Sequence, residues 1–250
     1  TINAKVALNQ LNLTLNDGDF VTVIGGNGAG KSTMLNAIAG VFQVDSGTIT
    51  IDGQDVTKLP EHKRAAFLGR VFQDPMMGTA PTMQIEENLA LAARRGQPRG
   101  LKWGITALER ADYRELLKTL DLGLEDRLTA KVGLLSGGQR QALTLLMASL
   151  KQPKLLLLDE HTAALDPKTA DKVLALSDQI VQENNLTTLM ITHNMKDAIA
   201  HGNRLIMMDA GRVVVDISGE DKKKLTVPDL LALFSHASGS DEANDKMLLS

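Results

Sequence analysis

The 250-residue chain contains no cysteine and no long run of apolar residues. Without cysteine, a disulfide framework, a thiolate zinc site and a cysteine nucleophile are all excluded. The apolar runs, such as Leu155–Leu158, are far shorter than the roughly 18 residues that a membrane-crossing helix needs. The first residues also lack the basic and apolar segments of a secretory signal. We therefore expect a protein of a reducing, cytoplasmic compartment that reaches a membrane only through a partner.

Charge and composition narrow the class of protein further. The formal net charge is only −3, and the basic residues are scattered rather than gathered into a stripe, so we expect no nucleic-acid partner. Hydrophobic residues make up 43% of the chain, which is enough to bury a full core. We predict one folded unit over residues 1–234 and a polar, poorly ordered tail over residues 235–250.

The order of apolar and periodic segments predicts an α/β fold. A β-rich run, Phe20–Ile24, leads through a glycine cluster into a helical segment, Lys31–Ala39. Later apolar runs lack polar alternation, as strands buried on both faces do, and helical segments precede or separate them. The runs are Leu155–Leu158, Thr187–Ile191 and Leu205–Met208, and the helical segments are Gly137–Leu150 and Lys168–Gln182. This alternation predicts a mostly parallel sheet layered with helices.

Two regions differ from this pattern. Val6–Leu15 and Thr48–Ile51 alternate in polarity and have turn signals nearby, so we predict an antiparallel β region beside the core. Ile85–Leu128 is rich in Ala, Leu, Glu and Arg with helical periodicity and is interrupted at Gly96–Gly100. We therefore predict an α-helical subdomain inserted over about residues 85–150.

The clearest chemical motif is the phosphate-binding loop, residues 25–32. It reads Gly-Gly-Asn-Gly-Ala-Gly-Lys-Ser and matches G-x-x-x-x-G-K-[ST] in the strand, loop and helix context that this pattern requires. Its glycines let backbone N–H groups face phosphates, Lys31 reaches the β- and γ-phosphates of ATP, and the Ser32 hydroxyl suits Mg²⁺. The flanking strand and helix disfavour the alternative, a glycine-rich turn with a chance lysine. The predicted nucleotide-binding residues are Gly25, Asn27, Gly28, Ala29, Gly30, Lys31, Ser32 and Thr33.

Two acids follow the four-leucine run. Asp159 and Glu160 lie at the carboxyl end of a predicted buried strand, where ligands of open α/β sheets bind. We predict that Asp159 holds Mg²⁺ through its water shell and that Glu160 polarises the attacking water as general base. The alternative is an exposed turn that carries two acids.

A second phosphate-binding helix start is predicted at residues 135–139, Leu-Ser-Gly-Gly-Gln. Ser136 stands at a natural N-cap, and the two glycines leave backbone N–H groups accessible ahead of an apolar-periodic helix. One triphosphate does not need two such helix ends. We therefore expect Ser136, Gly137, Gly138 and Gln139 to bind a nucleotide held by another copy of the chain.

In this order the motifs resemble those of the ATP-binding subunit of an ABC transporter, and the resemblance covers residues 6–216. It implies three further site residues, each weak evidence alone. Gln73 matches a glutamine that touches Mg²⁺ and the water, Asp166 matches an aspartate that crosses the dimer interface, and His193 matches a histidine that contacts the γ-phosphate. The catalytic set is then Glu160, His193 and Gln73, and the magnesium set is Ser32, Gln73 and Asp159.

The resemblance also implies how the subunit works. Two copies face each other head to tail with ATP between them and drive integral membrane permease subunits from the cytoplasmic face of the membrane. A free-standing cassette favours uptake with an extracytoplasmic solute-binding protein. Residues 75–81 and 159–167 resemble the cassettes of amino-acid uptake systems, tryptophan or tyrosine included. The alternative is a soluble ATPase of the same family, of the metal-cluster assembly type, with no membrane partner.

Two positions depart from the family pattern. His161 stands where proline usually follows the catalytic glutamate, and we interpret it as a tolerated loop substitution rather than as a polar contact near the γ-phosphate. The family also stacks adenine on an aromatic residue well before the phosphate-binding loop, and residues 1–19 contain none. We expect that aromatic residue just upstream of Thr1.

Overall fold

A computed structural model describes residues 6–97 and 104–238 of the chain, with side chains to residue 236. The strands are β1 Phe20–Ile24, β2 Thr50–Ile51, β3 Gln54–Asp55, β4 Leu68–Val71, β5 Leu155–Asp159, β6 Thr188–Ile191, β7 Arg204–Asp209 and β8 Arg212–Ser218. The helices are α1 Lys31–Ala39, α2 Glu61–Arg64, α3 Ile85–Ala93, α4 Ala107–Lys118, α5 Gly137–Ser149, α6 Pro167–Glu183, α7 Met195–Ala200, α8 Gly219–Lys223 and α9 Val227–Ser238, with a 3₁₀ turn at Val132–Leu134. Within the described ranges, no helix combines the length and apolarity needed to cross a bilayer.

The main sheet has six strands in the order β4-β5-β6-β1-β7-β8. Its first five strands are parallel, and β8 runs antiparallel to β7 at the edge. β1 and β6 are buried along their whole length, which explains why they lack polar alternation. Because parallel strands end at the same edge of a sheet, the segments that follow β1, β5 and β6 meet there. The predicted mostly parallel sheet is confirmed.

The predicted antiparallel β region is confirmed at β2, within residues 48–51, but not at residues 6–15. Residues 6–15 form no strand; their leucines pack against the core, which accounts for the alternation in polarity. The backbone of this described segment contacts the sheet region through single hydrogen bonds: the Asn9 N–H donates to the Gly211 carbonyl (2.9 Å), and the Thr14 carbonyl accepts from Arg204 Nη1 (2.6 Å). The antiparallel pair is instead β2 with β3, across the Asp52-Gly53 turn. β4 and β8 were missed because Arg70 in β4, and Arg212 and Asp216 in β8, interrupt their apolar residues.

A second cluster of buried residues lies in the predicted helical region. α3, α4 and α5 pack around it through side chains such as Ile85, Leu117 and Leu143, which are fully buried. Part of the predicted break at residues 96–100 lies outside the described residues. At the other end of the chain, α9 continues to Ser238, so the first residues of the predicted tail are helical, and residues 239–250 lie outside the description.

Candidate nucleotide-binding site

The phosphate-binding loop follows a path that requires glycine. Gly28 and Gly30 have φ angles of 80° and 100°, and a Cβ on Gly30 would lie 2.7 Å from the Ala7 carbonyl oxygen. Gly30 is also the N-cap of α1, and no side chain caps this helix. The backbone N–H groups of its first turn are therefore left for a ligand, and the positive end of the helix dipole favours an anion there.

A cleft of about 180 Å³ opens at this helix start. The segments after β1, β5 and β6 line it, as their shared sheet edge predicts. Its lining residues are Asn27, Gly28, Ala29, Gly30, Lys31, Ser32, Thr33, Glu160 and His193. Pockets that enclose a drug-sized ligand have volumes of roughly 300–1,000 Å³, so this cleft has room for phosphates but not for a whole nucleotide.

Lys31 is held inside its own loop. Its ammonium group is buried and donates hydrogen bonds to the carbonyl oxygens of Gly25 (2.5 Å) and Gly26 (3.2 Å). Burial lowers the pKa of Lys31, while the nearby Glu160 and Asp159 carboxylates act to raise it. A cation is thus kept beside the uncapped start of α1, where phosphate oxygens would replace the carbonyl partners.

Glu160 and His193 form a pair across the cleft. Glu160 has a φ of 46° directly after β5, a left-handed conformation that is uncommon outside glycine and recurs at functional sites. The His193 Nε2 lies 2.6 Å from Glu160 Oε1. The other ring nitrogen of His193, Nδ1, is buried and has no partner among the described residues. A buried polar atom without a partner costs free energy, so the paired nitrogen, Nε2, fixes the ring at the expense of Nδ1.

Asp159 contacts a residue that sequence reasoning missed. Arg70 Nη2 lies 3.4 Å from Asp159 Oδ2 and donates a hydrogen bond to Asn36 Oδ1 (2.7 Å). The three residues come from β5, β4 and α1. A single arginine in a short apolar run matches no motif, so a single sequence gives no signal for this contact.

The other predicted site residues do not reach the cleft. Gln73 is exposed after β4, and Ser136 and Gly137 are exposed at the start of α5. Asp166 is exposed as well and caps α6, accepting a hydrogen bond from the Thr169 N–H (3.1 Å). The side-chain and backbone hydrogen bonds of Thr169 lower the pKa of Asp166. A nucleotide in this cleft would therefore contact Ser136, Gly137 and Asp166 of a second chain, and it would contact Gln73 of the same chain after a shift of the Gln73 segment.

The start of α5 is capped from within the chain. Ser136 Oγ accepts a hydrogen bond from the Gln139 N–H, and Gln139 Oε1 accepts one from the Ser136 N–H, both at 3.2 Å. The predicted N-cap is confirmed as a reciprocal capping box. Gly138 packs against α6 so closely that a Cβ would lie 2.2 Å from Thr169 Cγ2. Glycine at 138 is therefore required for packing, whatever ligand this segment binds.

The interpretation of His161 as a tolerated loop substitution is wrong. Its side chain is only 2% exposed, does not line the cleft, and lies 2.9 Å from Ser177 Oγ on α6. Because Ser177 donates its proton to the Val173 carbonyl (2.8 Å), His161 Nε2 carries the proton of this hydrogen bond. Burial, together with the positive charge of His201, lowers the pKa of His161 to about 4. His161 is thus a neutral core residue that ties the segment after Glu160 to α6.

Comparison with known proteins identifies the family. The profile of the ABC transporter family matches residues 8–163. The tyrosine transport ATP-binding protein of Clostridioides difficile is 49% identical over 91% of this chain and 90% of that protein. The methionine import ATP-binding protein of Rhizobium etli is 39% identical over 84% of this chain and 56% of that protein, so the chain spans about half of that longer relative. The chain belongs to the ABC transporter family.

Comparison with solved structures also finds ATP-binding cassettes of this family. A dimeric, post-hydrolysis structure of an ATP-binding cassette bound to ADP and Pi is 31% identical over 85% of this chain and 90% of that one, with a TM-score of 0.71. A cassette in its ADP conformation, 24% identical over 98% and 93% of the two chains with a TM-score of 0.74, shows the fold alone. The chain is thus the ATP-binding, ATP-hydrolysing subunit of an ABC transporter.

Proposed function

We propose that this subunit powers the import of an aromatic amino acid such as tyrosine. The observation that carries the proposal is the 49% identity to a tyrosine transport ATP-binding protein along nearly the whole of both chains. The methionine and spermidine/putrescine relatives are less similar, and little more than half of each is matched. The solute itself contacts other subunits, so this chain supplies the energy and the coupling.

The triphosphate binds at the phosphate-binding loop in this proposal. Its oxygens take the place of the carbonyls that now hold Lys31, and the N–H groups at the uncapped start of α1 bind them. Mg²⁺ fits the donors present, because the Ser32 hydroxyl and the Asp159 carboxylate offer hard oxygen ligands. Among the described residues, no cluster of three or more His, Asp and Glu could hold a metal unaided. We therefore infer that Mg²⁺ binds jointly to the chain and to the phosphates. Gln73 becomes a further ligand when its segment moves toward the cleft.

Hydrolysis centres on Glu160. Its carboxylate is 11% exposed and is fixed by His193 at 2.6 Å, so it can accept a proton from water beside the γ-phosphate. His193 then has two functions: it orients the base, and as a lining residue of the cleft it contacts the γ-phosphate. Loss of the γ-phosphate removes this contact, which is how the site distinguishes ATP from ADP.

A second copy of the chain completes the site. The cleft is the size of a phosphate chain, and Ser136, Gly137 and Asp166 lie exposed outside it. In a head-to-tail dimer, the start of α5 and the Asp166 segment of one copy cover the phosphate-binding loop of the other. The dimeric state of the 31%-identical cassette supports this arrangement.

The membrane partner docks beside the segment Gln73–Met83. Met76 and Met77 there are 42% and 68% exposed, so these flexible side chains do not fill the local core and are available to an adaptable interface. Permease subunits bound at this segment would hold the chain at the cytoplasmic face of the membrane. An extracytoplasmic solute-binding protein would deliver the amino acid.

Reconstitution tests the proposal. The chain is co-expressed with the membrane protein encoded beside its gene, and the complex is placed in vesicles with the accompanying solute-binding protein. We expect ATP-dependent uptake of labelled tyrosine, abolished by Lys31→Ala. Uptake of a different solute would refute the substrate assignment. Failure to associate with any membrane protein, with ATPase activity intact, would favour the soluble ATPase.

A further inference from the structure

Arg70 joins parts of the nucleotide site that no sequence motif connects. It lies on β4, beside β5 in the sheet, and its side chain is largely buried. Its Nη2 donates a hydrogen bond to Asn36 Oδ1 (2.7 Å), four residues after Ser32 on α1, and lies 3.4 Å from Asp159 Oδ2. One guanidinium therefore links the helix of the phosphate-binding loop to the carboxylate predicted to hold Mg²⁺.

The same guanidinium also contacts the segment that leads to Gln73. Its central carbon stands 4.6 Å from the centroid of the Phe72 ring, a distance typical of cation–π contact. Phe72 directly precedes Gln73 in the chain. A shift of the Gln73 segment would therefore displace the Arg70 guanidinium. Through its contact with Asp159, that displacement would also change the orientation of the Asp159 carboxylate.

Comparison with other arginines shows that the Arg70–Asp159 contact is only half formed. Arg110 binds Glu86, and Arg204 binds Asp216, each through both Nε and Nη2 at 2.6–3.0 Å. Arg70 uses only Nη2, and its Nε is buried without a partner in the described part of the chain. Nε and Nη2 lie on the same edge of a guanidinium, the edge that binds a carboxylate bidentately. A small movement of Asp159 would complete this pair.

We propose that Arg70 is a positioning residue that sets the orientation of the Asp159 carboxylate relative to Ser32. Asn36 fixes the guanidinium, and the guanidinium holds Asp159 Oδ2. The contact with Phe72 couples the guanidinium to the position of the Gln73 segment. Arg70 itself touches no reacting group and acts through Asp159. The inference rests on the proposed role of Asp159 at Mg²⁺.

The test measures how Mg²⁺ supports binding of a fluorescent ATP analogue to the full chain. Residues that orient metal ligands typically change metal affinity 10–100-fold, so Arg70→Met should raise the half-saturating Mg²⁺ concentration about tenfold. Binding in EDTA should stay unchanged. Arg70→Lys should resemble Arg70→Met, since an ammonium lacks the planar fork. Asn36→Ala should shift the value less, in the same direction, and provides a milder variant if Arg70→Met folds poorly.

Two comparisons make the test specific. Arg204→Lys is the matched control, because Arg204 is similarly buried and pairs with an aspartate away from the cleft; it should leave the Mg²⁺ dependence unchanged. In an Asp159→Asn background, Arg70→Met should add nothing. An undiminished effect there, or no Mg²⁺ shift in Arg70→Met alone, would overturn the role of Arg70. An Asp159→Asn chain with wild-type Mg²⁺ dependence would overturn the metal role of Asp159 itself, and the inference with it.

Discussion

The two helix starts that carry phosphate-binding motifs differ in what satisfies their backbone N–H groups. The N-cap of α1, Gly30, offers no side-chain cap, and this helix start lines a cleft with Lys31, Glu160 and His193. The N-cap of α5, Ser136, forms a complete capping box and lies exposed outside that cleft. The α1 start therefore lacks partners that a triphosphate can supply. At α5 the capping box satisfies the N–H groups of Ser136 and Gln139, and in the proposed dimer those of Gly137 and Gly138 would face the nucleotide of the other copy.

The strongest test of the site at the α1 start removes its general base, Glu160, and leaves both helix starts unchanged. Glu160→Gln should lower kcat for ATP hydrolysis about 10²–10⁴-fold, the usual contribution of a general base. ATP binding should persist, and the dimer should accumulate, because the γ-phosphate is no longer lost. Phosphate release and light scattering with ATP measure the two effects. Glu115→Gln, on the exposed face of α4, is the control, and wild-type turnover by Glu160→Gln would exclude Glu160 as the base.

A pair of serine substitutions compares the two helix starts directly. Ser136→Ala removes an N-cap and should lower the free energy of unfolding by about 1 kcal/mol. Ser32 caps nothing, so Ser32→Ala should change stability by less than about 0.5 kcal/mol and instead weaken Mg²⁺-dependent ATP binding. Urea denaturation measures the free energy of unfolding of both alanine variants. Ser136→Asp should retain the cap, and equal losses of stability for the two alanine variants would contradict the distinction.

Acid stability tests the tie between the Glu160 segment and α6. The pKa of His161 is about 4 in the folded chain, below its unfolded value, so the unfolded state binds more protons between the two values. Stability should therefore fall as pH drops from about 6.5 to 4, by up to about 3 kcal/mol from this residue. His161→Gln should flatten that part of the profile in urea titrations. An unchanged profile would mean that His161 is not buried neutral.

A second histidine, His201, has the opposite pH dependence and a smaller expected effect than His161. The hydrogen bond and charge of Asp178, on α6, raise the pKa of His201 against the effect of burial. This stabilisation is fully present below the unfolded pKa of about 6.5 and is lost as pH rises through the raised folded value. Asp178→Asn should therefore cost about 1 kcal/mol at pH 6 and less at pH 9. Equal costs at both values would refute the assignment.

The predictions from sequence agree with the structure where a motif is contiguous along the chain and the parallel sheet brings the separate motifs together. The phosphate-binding loop, Asp159-Glu160 and His193 each follow a buried strand, and parallel strands bring their ends to one edge. Arg70 was missed because its partners are 34 and 89 residues away along the chain. His161 was misread because its burial depends on the packing of α6. Residues 6–15 alternate as a strand does, yet packing alone accounts for the alternation.

The central claim is that each ATP site combines the α1 start of one copy with the α5 start of another. Lys31→Ala disables the first half. Gly137→Asp should disable the second half, because the aspartate carboxylate repels phosphate. The variant should still fold, because the start of a helix favours a negatively charged side chain. The decisive measurement is the ATPase activity of the two variants mixed.

In a mixed dimer, the intact phosphate-binding loop of the Gly137→Asp chain faces the intact α5 start of the Lys31→Ala chain. We predict two inactive variants whose mixture hydrolyses ATP well above the sum of the separate activities. A mixture no more active than that sum, or a Gly137→Asp chain that hydrolyses ATP normally alone, would contradict a site shared between copies.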